Sequence, residues 1–123
     1  MSAPIRVLVV EDDDLNRGIF ERCLSDRGFD VATAASAEAG LEAAAGSSFD
    51  VILLDIMLPG ISGLAAIPLF AARSAAGIIV MTGHADEELK KDAVLLGAKG
   101  FVSKPPDLGA LAALIEETAR KSS

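Results

Sequence analysis

Val51-Ile52-Leu53-Leu54-Asp55 is a short apolar run closed by a carboxylate. Four consecutive apolar residues leave no polar face, as a strand buried on both sides of a parallel sheet requires. Residues 57–63, Met-Leu-Pro-Gly-Ile-Ser-Gly, then carry loop chemistry, and a helix is expected from there to about Arg73. Pro68 falls inside that helix, so either the helix starts late, near Ile67, or it is kinked.

The pattern repeats outward from this strand. Ile5–Val10 is apolar except for Arg6 and stops at Glu11-Asp12-Asp13-Asp14. Leu15, Ile19, Cys23 and Leu24 recur at helical spacing until Gly28, with Asp13 or Asp14 as the cap and Cys23 as small core packing. Val31–Ala34 is the next strand; Ser36 caps a helix carrying Ala39, Leu41 and Ala44 to a stop at Gly46. On the other side, Ile78–Met81 ends at Thr82-Gly83, and Asp86 caps a helix with Leu89, Ala93 and Leu96 on one face before Gly97. Gly100–Ser103 leads to Lys104-Pro105-Pro106, and Asp107 caps a last helix that aligns Leu108, Leu111, Ala112, Ile115 and Ala119. Five strands alternating with five helices predict an α/β fold: a doubly wound five-stranded parallel sheet with helices on both faces. No repeat or linker interrupts the pattern, so residues 1–123 are expected to form a single domain.

Composition narrows the function. The 51% hydrophobic content argues against disorder, yet no apolar run reaches the length of a membrane helix. The N-terminal segment shows no secretory leader, and one cysteine forbids an internal disulfide, so a cytoplasmic protein is the simplest reading. A net charge of −7 opposes direct nucleic-acid binding.

The chemistry gathers where strands stop: Glu11 and Asp12 after the first, Asp55 after the third, Thr82 after the fourth, Lys104 after the fifth. In open sheets ligands bind beyond the carboxyl ends of the strands, and the flavodoxin-like order 2-1-3-4-5 makes the first and third strands neighbours. Glu11, Asp12 and Asp55 then converge. Clustered carboxylates raise one another's pKa values or require a cation, and oxygen ligands without His or Cys favour Mg²⁺, Mn²⁺ or Ca²⁺ over zinc. An amine and a hydroxyl on the same rim suit a phosphoryl group, for which Asp55 can serve as nucleophile.

Four fragments carry a resemblance: residues 7–13 (Val-Leu-Val-Val-Glu-Asp-Asp), 53–63 (Leu-Leu-Asp-Ile-Met-Leu-Pro-Gly-Ile-Ser-Gly), 79–84 (Ile-Val-Met-Thr-Gly-His) and 100–105 (Gly-Phe-Val-Ser-Lys-Pro). In this order, each at a strand end, they make the chain resemble the receiver domain of two-component response regulators over essentially its whole length. The resemblance implies that Asp55 accepts a phosphoryl group from a sensor histidine kinase or histidine phosphotransfer protein. It implies that Glu11, Asp12, Asp55 and the Met57 carbonyl hold Mg²⁺, that Lys104 pairs with phosphoryl oxygens, and that Thr82 bonds them after transfer. It also implies a switch at Phe101 reporting on the face of residues 86–120 to a downstream protein, and a cis Lys104–Pro105 peptide bond. Such a domain is not an enzyme acting on other molecules; it catalyses only its own phosphorylation and dephosphorylation.

Simpler readings stand beside these. Phe101 also reads as a static core aromatic, and Glu87, Glu88, Lys90 and Lys91 as a solvated helix face. His84 lacks a second His or Cys for a metal site; two residues past Thr82, it has at most a kinetic role. Met57, being apolar, can offer a metal only its carbonyl and cannot position a water with its side chain. A haloacid-dehalogenase-type phosphatase would place a second Asp where Met57 stands. A flavodoxin-like cofactor binder would need a phosphate-cradling loop where Glu11-Asp12-Asp13 stands. A receiver-like interaction module that has lost phosphorylation would not need the full acidic set.

Overall fold

The structure, a computed structural model, describes residues 3–57, 63–83, 87–104 and 106–122. Strands and helices alternate: β1 (Arg6–Val10), α1 (Asp14–Asp26), β2 (Asp30–Ala34), α2 (Ala37–Gly46), β3 (Val51–Asp55), α3 (Gly63–Arg73), β4 (Gly77–Thr82), α4 (Glu87–Leu95), β5 (Gly100–Ser103) and α5 (Leu108–Ser122). All strand pairs are parallel and the order is β2-β1-β3-β4-β5, the expected flavodoxin-like arrangement. The Asp86 cap, His84, most of the loop after Met57 and the Lys104–Pro105 bond lie outside the described residues.

Period-two alternation divides the strand side chains between two cores. Leu8, Val10, Ile52, Leu54, Ile78 and Val80 meet Ala37, Ala44, Ala66, Ile67, Phe70 and Ala93 on the face covered by α2, α3 and α4. Val7, Val9, Val51, Leu53, Ile79 and Met81 meet Phe20, Leu24, Leu111, Ala112 and Ile115 on the face covered by α1 and α5. Both sides of β3 are buried throughout, which is why its sequence shows no polar alternation.

Helix caps match side-chain chemistry. Asp13 Oδ2 accepts from the Asn16 N–H at 2.9 Å and Ser36 Oγ from Ala39 N–H at 3.1 Å. Asp107 Oδ1 accepts from Gly109 and Ala110 N–H groups at the start of α5. Gly28 and Gly97 hold φ of 96° and 121°, left-handed conformations that end their helices without a Cβ penalty.

The helix faces required correction. Leu15 and Ile19 are exposed, and Cys23 is only half-buried; the stripe that enters the core is Phe20 and Leu24, spaced one turn apart. In α2 the buried positions are Ala37, Gly40 and Ala44, with Gly40 against Phe70, while Ala39 faces solvent. Leu96 lies beyond the end of α4 and is exposed.

The third helix does not start late. It runs from Gly63 with Pro68 inside, on the exposed side. Proline there removes one helix hydrogen bond, at a cost of about 3 kcal/mol. Ala66, Ile67 and Phe70 are fully buried, and each large side chain contributes about 1.5–3 kcal/mol, enough to hold the helix in place.

Candidate functional site

Strand register assembles the site. Val10 pairs with Leu54, so the next residues, Glu11 just past β1 and Asp55 at the end of β3, lie side by side. Asp55 pairs with Met81, and Thr82 with Ser103, so Thr82 and Lys104 follow on the same rim. The Lys104 N–H donates to the Thr82 carbonyl at 2.7 Å, extending the ladder one residue past β5.

The side chains of Glu11, Asp12 and Asp55 each bring a carboxylate oxygen within 4.8 Å of the others. Glu11 and Asp55 are buried, 1% and 3% exposed, whereas Asp12 is open to solvent. Lys104 Nζ donates to Glu11 Oε1 at 2.5 Å and to Asp55 Oδ2 at 2.7 Å. The Met57 N–H donates to Asp55 Oδ1 at 2.9 Å, so both oxygens of Asp55 are held. Met57 reaches the site through this backbone contact; its side chain is 61% exposed. Thr82 is fully buried, and Phe101 is half-buried against the core on the α2–α4 face.

The electrostatics favour a cation. Burial pushes the Glu11 carboxyl above the usual range, opposed by the Lys104 hydrogen bond and reinforced by the neighbouring Asp55 carboxylate. For Lys104, burial works against the ammonium, but its bonds to Asp55 and Glu11 outweigh this and raise its pKa. Three carboxylates against one ammonium leave two negative charges in excess. A divalent ion with oxygen ligands fits both that excess and the donor set, and Mg²⁺ satisfies these conditions.

One residue absent from the sequence-based site belongs to it. Arg17, in the first turn of α1, donates from one guanidinium nitrogen to the Glu11 carbonyl at 3.1 Å and the Asp12 carbonyl at 3.4 Å. Its other terminal nitrogen holds Asp14 Oδ1. The available signal was a cation near a helix N-terminus, where the macrodipole disfavours it.

Known proteins share this fold and resemble this sequence. A family model described as the response regulator receiver domain matches residues 7–116. The transcriptional regulatory protein FixJ of Bradyrhizobium diazoefficiens is 33% identical over 123 residues, covering 99% of this chain and 60% of FixJ. The chain thus spans somewhat more than half the length of that relative. A CheY-like receiver domain from Methanospirillum hungatei superposes with a TM-score of 0.89 at 28% identity, covering 97% of this chain and 96% of that one. A response regulator from Burkholderia pseudomallei, solved with a phosphorylated aspartic acid, a calcium ion and citrate, gives 0.87 at 29% identity, covering 95% and 69%.

Proposed function

From the premise that the chain belongs to the response regulator receiver domain family, we propose that Asp55 is its phosphoacceptor and that Glu11, Asp12 and Asp55, with the Met57 carbonyl, hold Mg²⁺. The observation that carries the reading is Lys104 Nζ bridging Asp55 and Glu11 at the switch point of the sheet. A bound Mg²⁺ would offset charge on the carboxylates and on the transferring phosphoryl oxygens.

In the proposed transfer an Asp55 oxygen attacks the phosphorus of a phosphohistidine. The new P–O bond forms as the P–N bond breaks, and the leaving imidazole takes up a proton. Lys104 exchanges its carboxylate partners for phosphoryl oxygens. Thr82 bonds the phosphoryl group after transfer, and Phe101 links that change to the face of residues 86–120. Donation by a sensor histidine kinase or histidine phosphotransfer protein, slow self-hydrolysis, a cytoplasmic setting and a protein target on that face belong to the same proposal. So does a single domain over residues 1–123, which the single five-stranded sheet supports.

Phosphatase and flavin-binding readings are not favoured: Met57 stands where the phosphatase needs a second Asp, and Glu11-Asp12-Asp13 occupies the loop a flavin phosphate would need. Incubation with phosphoramidate, a small donor with a P–N bond, tests the proposal by intact mass. One phosphoryl group should be gained with Mg²⁺ and none after chelation; equal gain in both would refute the metal assignment.

A further inference from the structure

We propose that Arg17 is a positioning residue that fixes the loop between β1 and α1 so that the Glu11 and Asp12 carboxylates are preset for a divalent cation. The inference rests on the Mg²⁺ reading of the acidic cluster.

Arg17 sits in the first turn of α1, and its backbone N–H closes the first helical bond to the Asp13 carbonyl at 2.9 Å. From that position its side chain points back toward the helix start, the direction helical side chains take. One nitrogen spans two consecutive carbonyls, those of Glu11 and Asp12, and the other holds Asp14. Asp13 is secured separately, by capping Asn16 and by donating its N–H to Glu11 Oε2 at 3.3 Å. All four residues from Glu11 to Asp14, the loop and the first residue of α1, are therefore held by at least one backbone or side-chain contact. Among the described residues, Asp12 alone of the four has no partner for its carboxylate, which faces the cluster.

Helix stability does not account for this arrangement. A cation in a first helical turn opposes the macrodipole. The ion pair to Asp14 spans three residues, and Asp14 is 91% exposed, so its contribution is small. Carbonyl clamping is different: a planar guanidinium can hold several acceptors in fixed directions, and a lysine ammonium cannot reproduce that fork. Outer groups that orient metal ligands act in this way.

Charge and positioning predict opposite signs. A positive charge near the cluster repels Mg²⁺, so a purely electrostatic Arg17 would weaken binding and its removal would tighten it. A positioning Arg17 strengthens binding, and its removal loosens it.

The test titrates wild type, Arg17→Gln and Arg17→Lys with Mg²⁺ alone, followed by amide NMR shifts because the chain has no Trp or Tyr to report by fluorescence. Both variants should bind roughly ten-fold more weakly. Phosphorylation by phosphoramidate should be slow at limiting Mg²⁺ and return toward the wild-type rate at saturation. Thermal unfolding without metal, run alongside, separates a general loss of stability. Binding by Arg17→Gln as tight as wild type or tighter, or wild-type binding by Arg17→Lys, overturns the proposal, as does lowered stability with unchanged affinity. If wild type itself binds no Mg²⁺, the reading of the acidic cluster fails as well; if wild type binds and the variants match it, only the role of Arg17 fails.

Discussion

Lys104 Nζ lies 2.7 Å from Asp55 Oδ2, and the same ammonium reaches Glu11 Oε1 at 2.5 Å. The lysine is the site's internal counter-ion. Two buried carboxylates that would otherwise repel are held together by a group from the far strand, 49 residues beyond Asp55 in sequence.

Replacing that group should have three effects, not all of one sign. Lys104→Met leaves Glu11 and Asp55 without their cation. Breaking a fully buried pair costs about 3–5 kcal/mol. Lys104 is 21% exposed, so solvent screening reduces the expected loss to about 1–3 kcal/mol. Mg²⁺ affinity should rise, because a competing positive charge is gone. Phosphoryl transfer should still slow by roughly 100-fold, since a donor to the developing charge is lost. Denaturant unfolding with and without Mg²⁺, together with labelling rates, checks all three.

The raised Glu11 and Lys104 values contribute to the pH dependence of the metal-free protein. A group whose folded pKa is raised contributes stability that is complete below its unfolded value and lost as pH rises through the folded one. For Glu11 that loss begins above the unfolded value of about 4.3, so its ionisation is a penalty at neutral pH. For Lys104 the loss begins only above about 10.4. Glu11→Gln should flatten the acid-side slope. Protons should also compete with Mg²⁺ at Glu11, so affinity should fall as pH drops through a value above the ordinary Glu range. Urea titrations and Mg²⁺ binding across pH 4–8 measure both effects (roughly the window in which shifted carboxylates titrate).

Asp13 caps α1 and stands outside the cluster of Glu11, Asp12 and Asp55. Asp13→Ala should lower stability by about 1 kcal/mol through loss of the bond to the Asn16 N–H. Mg²⁺ affinity should change far less than in Asp12→Ala. Parallel unfolding and metal titrations of the two variants distinguish the roles.

Gly40 is a packing constraint. A Cβ there would lie 2.9 Å from both Phe70 Cζ and Val10 Cγ2, and both side chains are fully buried, so one of them must shift within the packed core. Overpacking costs about 1–3 kcal/mol, against about 1 kcal/mol gained from better helix propensity. Gly40→Ala should therefore lower Tm, and Phe70→Leu in the same chain should recover part of the loss. Calorimetry of the single and double variants checks this.

The strands and their ends were legible because β3 and β4 are buried on both faces and stop abruptly at Asp55 and Thr82. Strand order and register then carry Glu11, Asp12, Asp55, Thr82 and Lys104 to one rim without further information. Helix faces were less legible. Leu15 and Ile19 sit at helical spacing with Leu24's neighbours, yet spacing alone could not show that Phe20 takes the inward position. The bridge from Lys104 to Glu11 and the clamp from Arg17 depend on side-chain reach across loops, which no periodicity encodes.

The most direct measurement is intact mass after phosphoramidate and Mg²⁺, comparing wild type with Asp55→Asn. Asparagine is nearly isosteric but offers no carboxylate nucleophile. The account predicts one added phosphoryl group on wild type and none on Asp55→Asn; labelling of Asp55→Asn to the wild-type extent would contradict it.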